Sequence, residues 1–229
     1  MLPDHHDQDE RYPTGAMTID PSETLANAVP GFVPSVHGLH FANRFPSGPT
    51  LRFGPLDPRW VGVGDAAAGL CGGMSWLVRE RFDAGLPIPA DAVAPADGST
   101  LFRALVRRQI LSLDWMRGPL RFWWMGLRGP AWARRRSLQA EWPRIRAQID
   151  AGQLALVGLV RHQGWSPWQL TGSHQVLAFG YAVDKGPVAI TLRLYDPNWP
   201  DRDDLSVSLS PAGLGQSTGE RLLGVLALG

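Results

Sequence analysis

The sequence predicts an α+β fold: a helical N-terminal half whose cysteine-bearing helix packs on a C-terminal antiparallel β-sheet. Three observations lead there. Runs with helical composition and usable caps fall at 71–84, 99–113 and 137–151, all before residue 152. Apolar, β-branched runs follow at 154–160, 173–182 and 188–195, separated by turn residues with no helical run between them. The 26 Gly and 20 Pro in 229 residues imply long ordered loops joining few regular elements.

The totals narrow the function classes. Hydrophobic residues make up 44% of the chain, which suits one domain with a substantial core. A formal charge of +1 gives no field to gather nucleic acid. The single cysteine excludes an internal disulfide framework and a Cys-cluster zinc site, and no metal or organic cofactor is implied. The polar, acidic start Met1 to Glu10 lacks the basic region and apolar run of a signal peptide, and no stretch approaches the ~20 apolar residues of a membrane span. The expectation is therefore a cytoplasmic protein.

Residues 1–28 carry charge and few apolar anchors, and read as a flexible or loosely docked tail ahead of a single domain over 29–229. Residues 29–64 are rich in Pro and Gly, which block helix and central strand alike. Phe32, Phe41, Phe45, Phe53 and Trp60 would anchor this arm on the core, with His37 and His40 in packing or capping roles. The first helix runs from Cys71 to about Ala84 and stops at Gly85 and Pro87. Ser99 caps the second, whose stripe is Leu101, Leu105 and Ile110.

Residues 115–136 hold four Trp and six Arg without an acid, and are read as an insertion in the domain. Three roles compete for it: an element packed on the domain with Arg stems over apolar rings, a lipid-touching surface, and a wall for a large apolar or anionic substrate. Ser137 is placed as the cap of the third helix, with Pro143 forcing a kink or a later start. Strands over 154–160, 173–182, 188–195, 205–209 and 221–228 complete the chain.

The chemistry centres on Gly69-Leu70-Cys71-Gly72-Gly73-Met74-Ser75-Trp76. Small, loop-like residues precede Cys71 and a helical run follows, so the thiol belongs at a helix start, where free N–H groups and the dipole favour its thiolate. Gly72 and Gly73 remove side-chain bulk and are read as letting a substrate backbone approach. The competing reading is a small buried core residue.

A cysteine nucleophile needs a base, and the base needs an orienting acceptor. His174 opens one strand and Asp196 closes the next, and the midpoint between them falls at Lys185, inside the turn signal Asp184-Lys185-Gly186. A hairpin folded there makes them direct or near cross-strand neighbours. Competing roles are a satisfied strand histidine for His174 and an Asx-type turn former for Asp196. Asn198 is a second candidate orienter, and His162 a rival base. Trp165, Trp168 and Trp199 flank these motifs and are candidate cleft walls.

Taken together, Gly-Leu-Cys-Gly-Gly-Met, Ser-His-Gln-Val-Leu-Ala-Phe-Gly-Tyr and Tyr-Asp-Pro-Asn-Trp-Pro resemble the papain-like cysteine peptidases, and most nearly their bacterial, bacteriocin-processing-like branch with its Asp-Pro pair. The likeness spans about residues 60–228. It implies a papain-like fold with Cys71 as nucleophile, His174 as general base and acid, and Asp196 as orienter. It also implies a thiol hydrolase (peptidase or amidase) or acyl transferase acting on a peptide or a small acyl or amide substrate. A non-catalytic binding module on the same fold is the alternative. Papain-like peptidases place a Gln six residues before the cysteine to bind the oxyanion. Here that position is Asp65, which cannot donate when ionised. Gln163, Gln169 and Gln175 are the candidate replacements.

Overall fold

The computed structural model describes residues 25–45, 69–112, 118–161, 174–184 and 189–228. Their architecture is α+β, with a curled antiparallel sheet as its centre. The strands are β1 (Leu25–Ala28), β2 (Ala155–Val160), β3 (His174–Asp184), β4 (Ala189–Tyr195), β5 (Ser206–Leu209), β6 (Leu214–Gln216), β7 (Arg221–Leu222) and β8 (Gly224–Leu228). Their order is β7-β6-β5-β4-β3-β2-β8, and β1 pairs with the far half of β3, on the edge whose near half is taken by β2. Every residue of β2 and the first eight of β3 are buried. Such continuous apolar runs mark strands covered on both faces.

The covering helices come from the chain before β2. Helices α2 (Cys71–Asp83) and α3 (Thr100–Ser112) pack together, and α2 lies against β3. Helices α4 (Gly118–Leu127), α5 (Pro130–Arg136) and α6 (Trp142–Asp150) meet β2, β3 and β8. The sequence boundaries of α2 and α3 hold within a residue or two, and Ser99 Oγ accepts the Phe102 N–H as the cap of α3. The buried stripe of α3 is Phe102, Leu105 and Val106, with Leu101 and Ile110 only partly covered.

Within the 115–136 stretch the described residues, from Gly118, form α4 and α5, split at Gly129, whose φ of 78° a side chain would resist, with Pro130 in the first turn of α5. Arg128 lies 4.4 Å over the Trp124 ring and 5.8 Å from that of Trp132. Buried Glu141 accepts bonds from Arg121 (2.8 Å), Arg136 (2.9 Å) and the Ala227 N–H (3.1 Å), so two cations of the acid-free run are answered from beyond it.

Two expectations need correction. Ser137 caps nothing: the helical run continues from α5 through a π-helical turn, Ser137–Glu141, into α6. The Ser137 hydroxyl donates instead to the Ala133 carbonyl, 2.8 Å away, and accepts from the Val225 N–H at 2.9 Å, tying the turn to β8. Pro143 follows directly on the π-helical turn inside this continuous run, so its missing N–H falls where the main-chain ladder has already shifted. The tail assignment fails at its last residues, since Leu25–Ala28 is strand β1. The pattern Leu-Ala-Asn-Ala is too short to show a strand period, and its pairing comes from β3.

The β3–β4 ladder changes register at a β-bulge between Ala178 and Gly180. Beyond the bulge Gly180 opposes Arg193 and Asp184 opposes Ala189; before it Ala178 opposes Leu194 and Leu177 opposes Tyr195. The extra residue, Phe179, sends its carbonyl to the Val29 N–H at 2.7 Å. Carried one step on, the near register sets Asp196 opposite Val176, on the same face as His174. Without the bulge it would oppose Leu177, on the other face. The simple hairpin midpoint therefore lands close to the right pairing only because an inserted residue restores parity.

Candidate active site

Cys71 is the first residue of α2; it is 7% exposed, and it is hydrogen-bonded to His174. The helix has no cap of its own, because Leu70 occupies the N-cap and carries no polar side chain. Distant residues serve instead. Asn43 Oδ1 accepts the Leu70 N–H at 2.6 Å, and Gln109 Oε1, from α3, accepts the Gly73 N–H at 2.9 Å. The Met74 N–H reaches the Leu70 carbonyl. Among the described residues, the N–H groups of Cys71 and Gly72 are left as the donors of this turn, at the positive end of the helix dipole.

His174 and Asp196 are buried, and His174 Nε2 lies 2.6 Å from Asp196 Oδ1. That commitment leaves Nδ1 as the ring nitrogen facing the sulfur. Asp196 also accepts the Asn198 N–H on Oδ1 at 2.9 Å and Gln216 Nε2 on Oδ2 at 2.6 Å. So Asp196 is both an Asx-type turn former and the partner of His174, and the two roles use one rigid carboxylate. Gln175, the next residue of β3, fastens the helix to the strand. Its N–H points at the Cys71 sulfur, and its carbonyl accepts the Ser75 hydroxyl at 3.3 Å.

The electrostatics follow from these contacts. Burial is the largest influence on Cys71 and pushes its thiol up. The hydrogen bond and charge of His174, with the Gln175 N–H, outweigh it, and the net shift is down. Burial opposes the charge on His174 as well, but Asp196, by charge and hydrogen bond, and then Cys71 push it up to about 10. Burial alone would raise Asp196; His174, the Asn198 N–H and Gln216 hold it below the usual carboxylate range. All three shifts favour a thiolate beside an imidazolium beside a carboxylate.

The other site expectations divide. Gln163, Gln169, Trp165, Trp168, His162 and Asp65 lie outside the described residues. Asn198 contributes its main chain to Asp196, while its side chain accepts from Asn43 Nδ2 at 3.1 Å. Trp199 is 42% exposed, and its N–H closes the turn on the Asp196 carbonyl. The buried Gln175 carboxamide lies beside Gly72, and its Oε1 has no hydrogen-bond partner.

Gly72 and Gly73 need correction, because the protein itself occupies the space that their missing side chains leave. A Cβ on Gly72 would strike Ser112 Oγ and Gln175 Oε1, and one on Gly73 would strike the Leu105 carbonyl. These glycines let α3 and β3 approach the helix start, rather than leaving room there for substrate.

Sequence reasoning missed Asn43, Gln109 and Gln216. Each acts across a long separation from a loop, a helix or a short strand, and no local spacing marks it. His37 stacks on Phe32 and sits edge-on to Phe82, and His40 Nδ1 lies 2.6 Å from Asp201, so both belong to the packing of the arm.

In comparisons with known proteins, no family model, curated protein or solved structure matches this chain. The weight of any functional reading therefore falls on the geometry. Among the described residues, no helix is long and apolar enough to cross a membrane.

Proposed function

We propose that this protein is a thiol hydrolase of papain-like arrangement that cleaves a peptide or a small acyl or amide substrate through an acyl-enzyme. The observation that carries the reading is the buried chain of contacts from the Cys71 sulfur through His174 to Asp196, with the thiol shifted down and the imidazole up. A structural cysteine needs no such partners, and a buried one left to itself stays protonated.

In this reading the Cys71 thiolate attacks the substrate carbonyl carbon. The carbonyl oxygen takes the negative charge and is met by the N–H groups of Cys71 and Gly72 at the helix start. The His174 imidazolium gives its proton to the leaving amine or alkoxide, and a thioester to Cys71 remains. Water, or an amine in the transfer variant, then loses a proton to His174 and attacks the thioester; the thiolate leaves and the ion pair is restored. Asp196 stays ionised throughout, holding the ring so that Nδ1 faces sulfur.

Two side chains of Gln175 and Gln216 bring carboxamides near this machinery, but Gln216 is committed to Asp196, and Gln175 points its oxygen toward Gly72. Main-chain donors therefore carry the oxyanion in this reading.

The test is the pH dependence of Cys71 alkylation by iodoacetamide on the full chain, read by mass. A rate that reaches its plateau well below the free-thiol value of about 8.5 supports the reading. A profile centred at or above that value removes it and leaves the non-catalytic binding module. Capture of a thioester from activated acyl esters by Cys71, lost in His174→Ala, then separates a working hydrolase from a merely acidic thiol.

A further inference from the structure

The two sides of this site are joined by a carboxamide that belongs to neither. Asn43 lies in the arm that follows α1 (Pro34–His37), far from both motifs in sequence. Its Oδ1 accepts the N–H of Leu70, the residue before the cysteine, at 2.6 Å. Its Nδ2 donates to Asn198 Oδ1 at 3.1 Å, and its own N–H donates to the Pro197 carbonyl at 2.9 Å. The orientation of the amide is set by its neighbours, because an N–H such as that of Leu70 can be met only by the oxygen. The turn before the cysteine is shaped to receive it. Gly69 has a φ of 88°, and a Cβ there would lie 2.5 Å from Asn43 Nδ2.

These bonds close a ring. Leu70 leads into Cys71; Asn198 donates its N–H to the same Asp196 oxygen that faces His174 Nε2; and His174 returns to the sulfur. Within the ring, Asn43 spans from the nucleophile's helix start to the turn carrying the acid. Its short side chain has two rotatable bonds and a planar end, so it sets that separation with little play.

The rest of the arm is tied to the same region. Ser35 gives its N–H and hydroxyl to Asp203, and the Leu39 N–H reaches the Tyr195 hydroxyl at 3.4 Å. Those ties hold the arm down at residues other than Leu70 and Asn198.

We propose that Asn43 is a positioning residue that fixes the Cys71 sulfur against the His174–Asp196 pair by bridging Leu70 and Asn198. The inference rests on the reading of Cys71 as an activated thiol, and deepens it. It acts through alignment: misplacement of reacting groups by about 1 Å can cost about a hundredfold in rate.

The experiment compares Cys71 alkylation against pH in the wild type, Asn43→Ala, Asn198→Ala, the double variant and Asp203→Ala. Asn43→Ala is expected to move the profile toward an ordinary thiol and to slow neutral alkylation by about tenfold or more. Asn198→Ala, which keeps the Asn43–Leu70 bond, is expected to move it the same way. The double variant should be no worse than the worse single one, because both cut one bridge. Asp203→Ala cuts a different tie of the arm and should overlay the wild type.

An unchanged profile in Asn43→Ala overturns the proposal, as do strictly additive effects of the two asparagines. An equal shift in Asp203→Ala also overturns it, since the arm as a whole would then be responsible. Should Asn43→Ala fail to fold, Asn198→Ala reads the same bridge from its other end. An ordinary thiol in the wild type sinks the hydrolase reading itself, whereas an acidic wild-type thiol with unmoved variants sinks only the role of Asn43.

Discussion

Replacing Asp196 by Asn removes one charge and almost no volume, and the surroundings are prepared for it. The Asn oxygen can keep the Asn198 N–H and a proton from His174 Nε2, while the new amide nitrogen would face Gln216 Nε2, donor to donor. Gln216 Oε1 is buried without a partner, so turning that carboxamide over restores a bond. The fold should survive. The imidazolium should not: His174 rises from 6.5 to about 10, and each tenfold in its proton equilibrium corresponds to about 1.4 kcal/mol. That is about 5 kcal/mol in favour of the charged ring, and against the larger opposing effect of burial Asp196 supplies the two greatest upward contributions. Without the carboxylate the ring is neutral at pH 7, and burial again dominates the thiol. An ordinary thiol near 8.5 is only about 0.3% ionised at pH 6, so Asp196→Asn should alkylate a few hundredfold more slowly there than a fully formed ion pair. The assay is iodoacetamide labelling of Cys71 against pH, with thermal melting to show the variant folded. A folded variant whose profile overlays the wild type would refute the reasoning.

Further outcomes follow from the same contacts. In Cys71→Ala, His174 keeps a raised pKa through Asp196, so its stabilisation is full below about pH 6.5 and drains away as pH rises through its folded value. In the wild type the lowered thiol gains stability with rising pH and opposes that loss. Melting temperature against pH should therefore fall more steeply on the alkaline side in Cys71→Ala; equal slopes would contradict the ion pair. On the acid side both proteins should lose the contribution of Asp196 as pH drops through its depressed value, below 3.8. Gly73→Ala should destabilise by about 1–3 kcal/mol in denaturant titration, because its methyl meets the main chain of α3, which has no rotamer to yield. Glu141→Ala should cost about 1–3 kcal/mol by leaving the buried Ala227 N–H without its acceptor, since the half-exposed Arg121 and Arg136 can turn to water, yet leave Cys71 alkylation in the folded protein unchanged.

The fold was legible where the polymer repeats a local rule. Cys71–Asp83 shows itself by helical composition closed by Gly85, and β2 and β3 by unbroken apolar runs. The α5–α6 run was misread because Ser137 and Pro143 are strong local start signals, and here tertiary bonds to β8 override the first. At the site, Cys71, His174 and Asp196 were legible because each stands at an element boundary and a turn signal lies between the last two. Their supports were not. Asn43 and Gln109 cap a helix whose own N-cap is leucine, and Gln216 reaches Asp196 from a three-residue strand. Such partners are defined by where the chain returns in space. Gly72 and Gly73 illustrate the reverse error: small residues beside a nucleophile suggest access, but small residues also allow close helix packing, and sequence does not separate the two.

Phe179 carries a consequence beyond its own packing. Drawing that one residue into the ladder opposite Leu194 would leave two strands as apolar, as well paired and as well covered as before, with histidine and aspartate turned to opposite sides. Whatever chemistry the protein performs is thus separable from its stability at a single point of the backbone. That point is latched from outside the ladder, by the Val29 N–H on the Phe179 carbonyl and by Phe32, whose ring centre lies 5.4 Å from that of Phe179. Trimming the chain up to the start of α1 would therefore remove β1 and release the latch, and a protein so shortened would keep β2 to β8 while losing the constraint that aims its histidine.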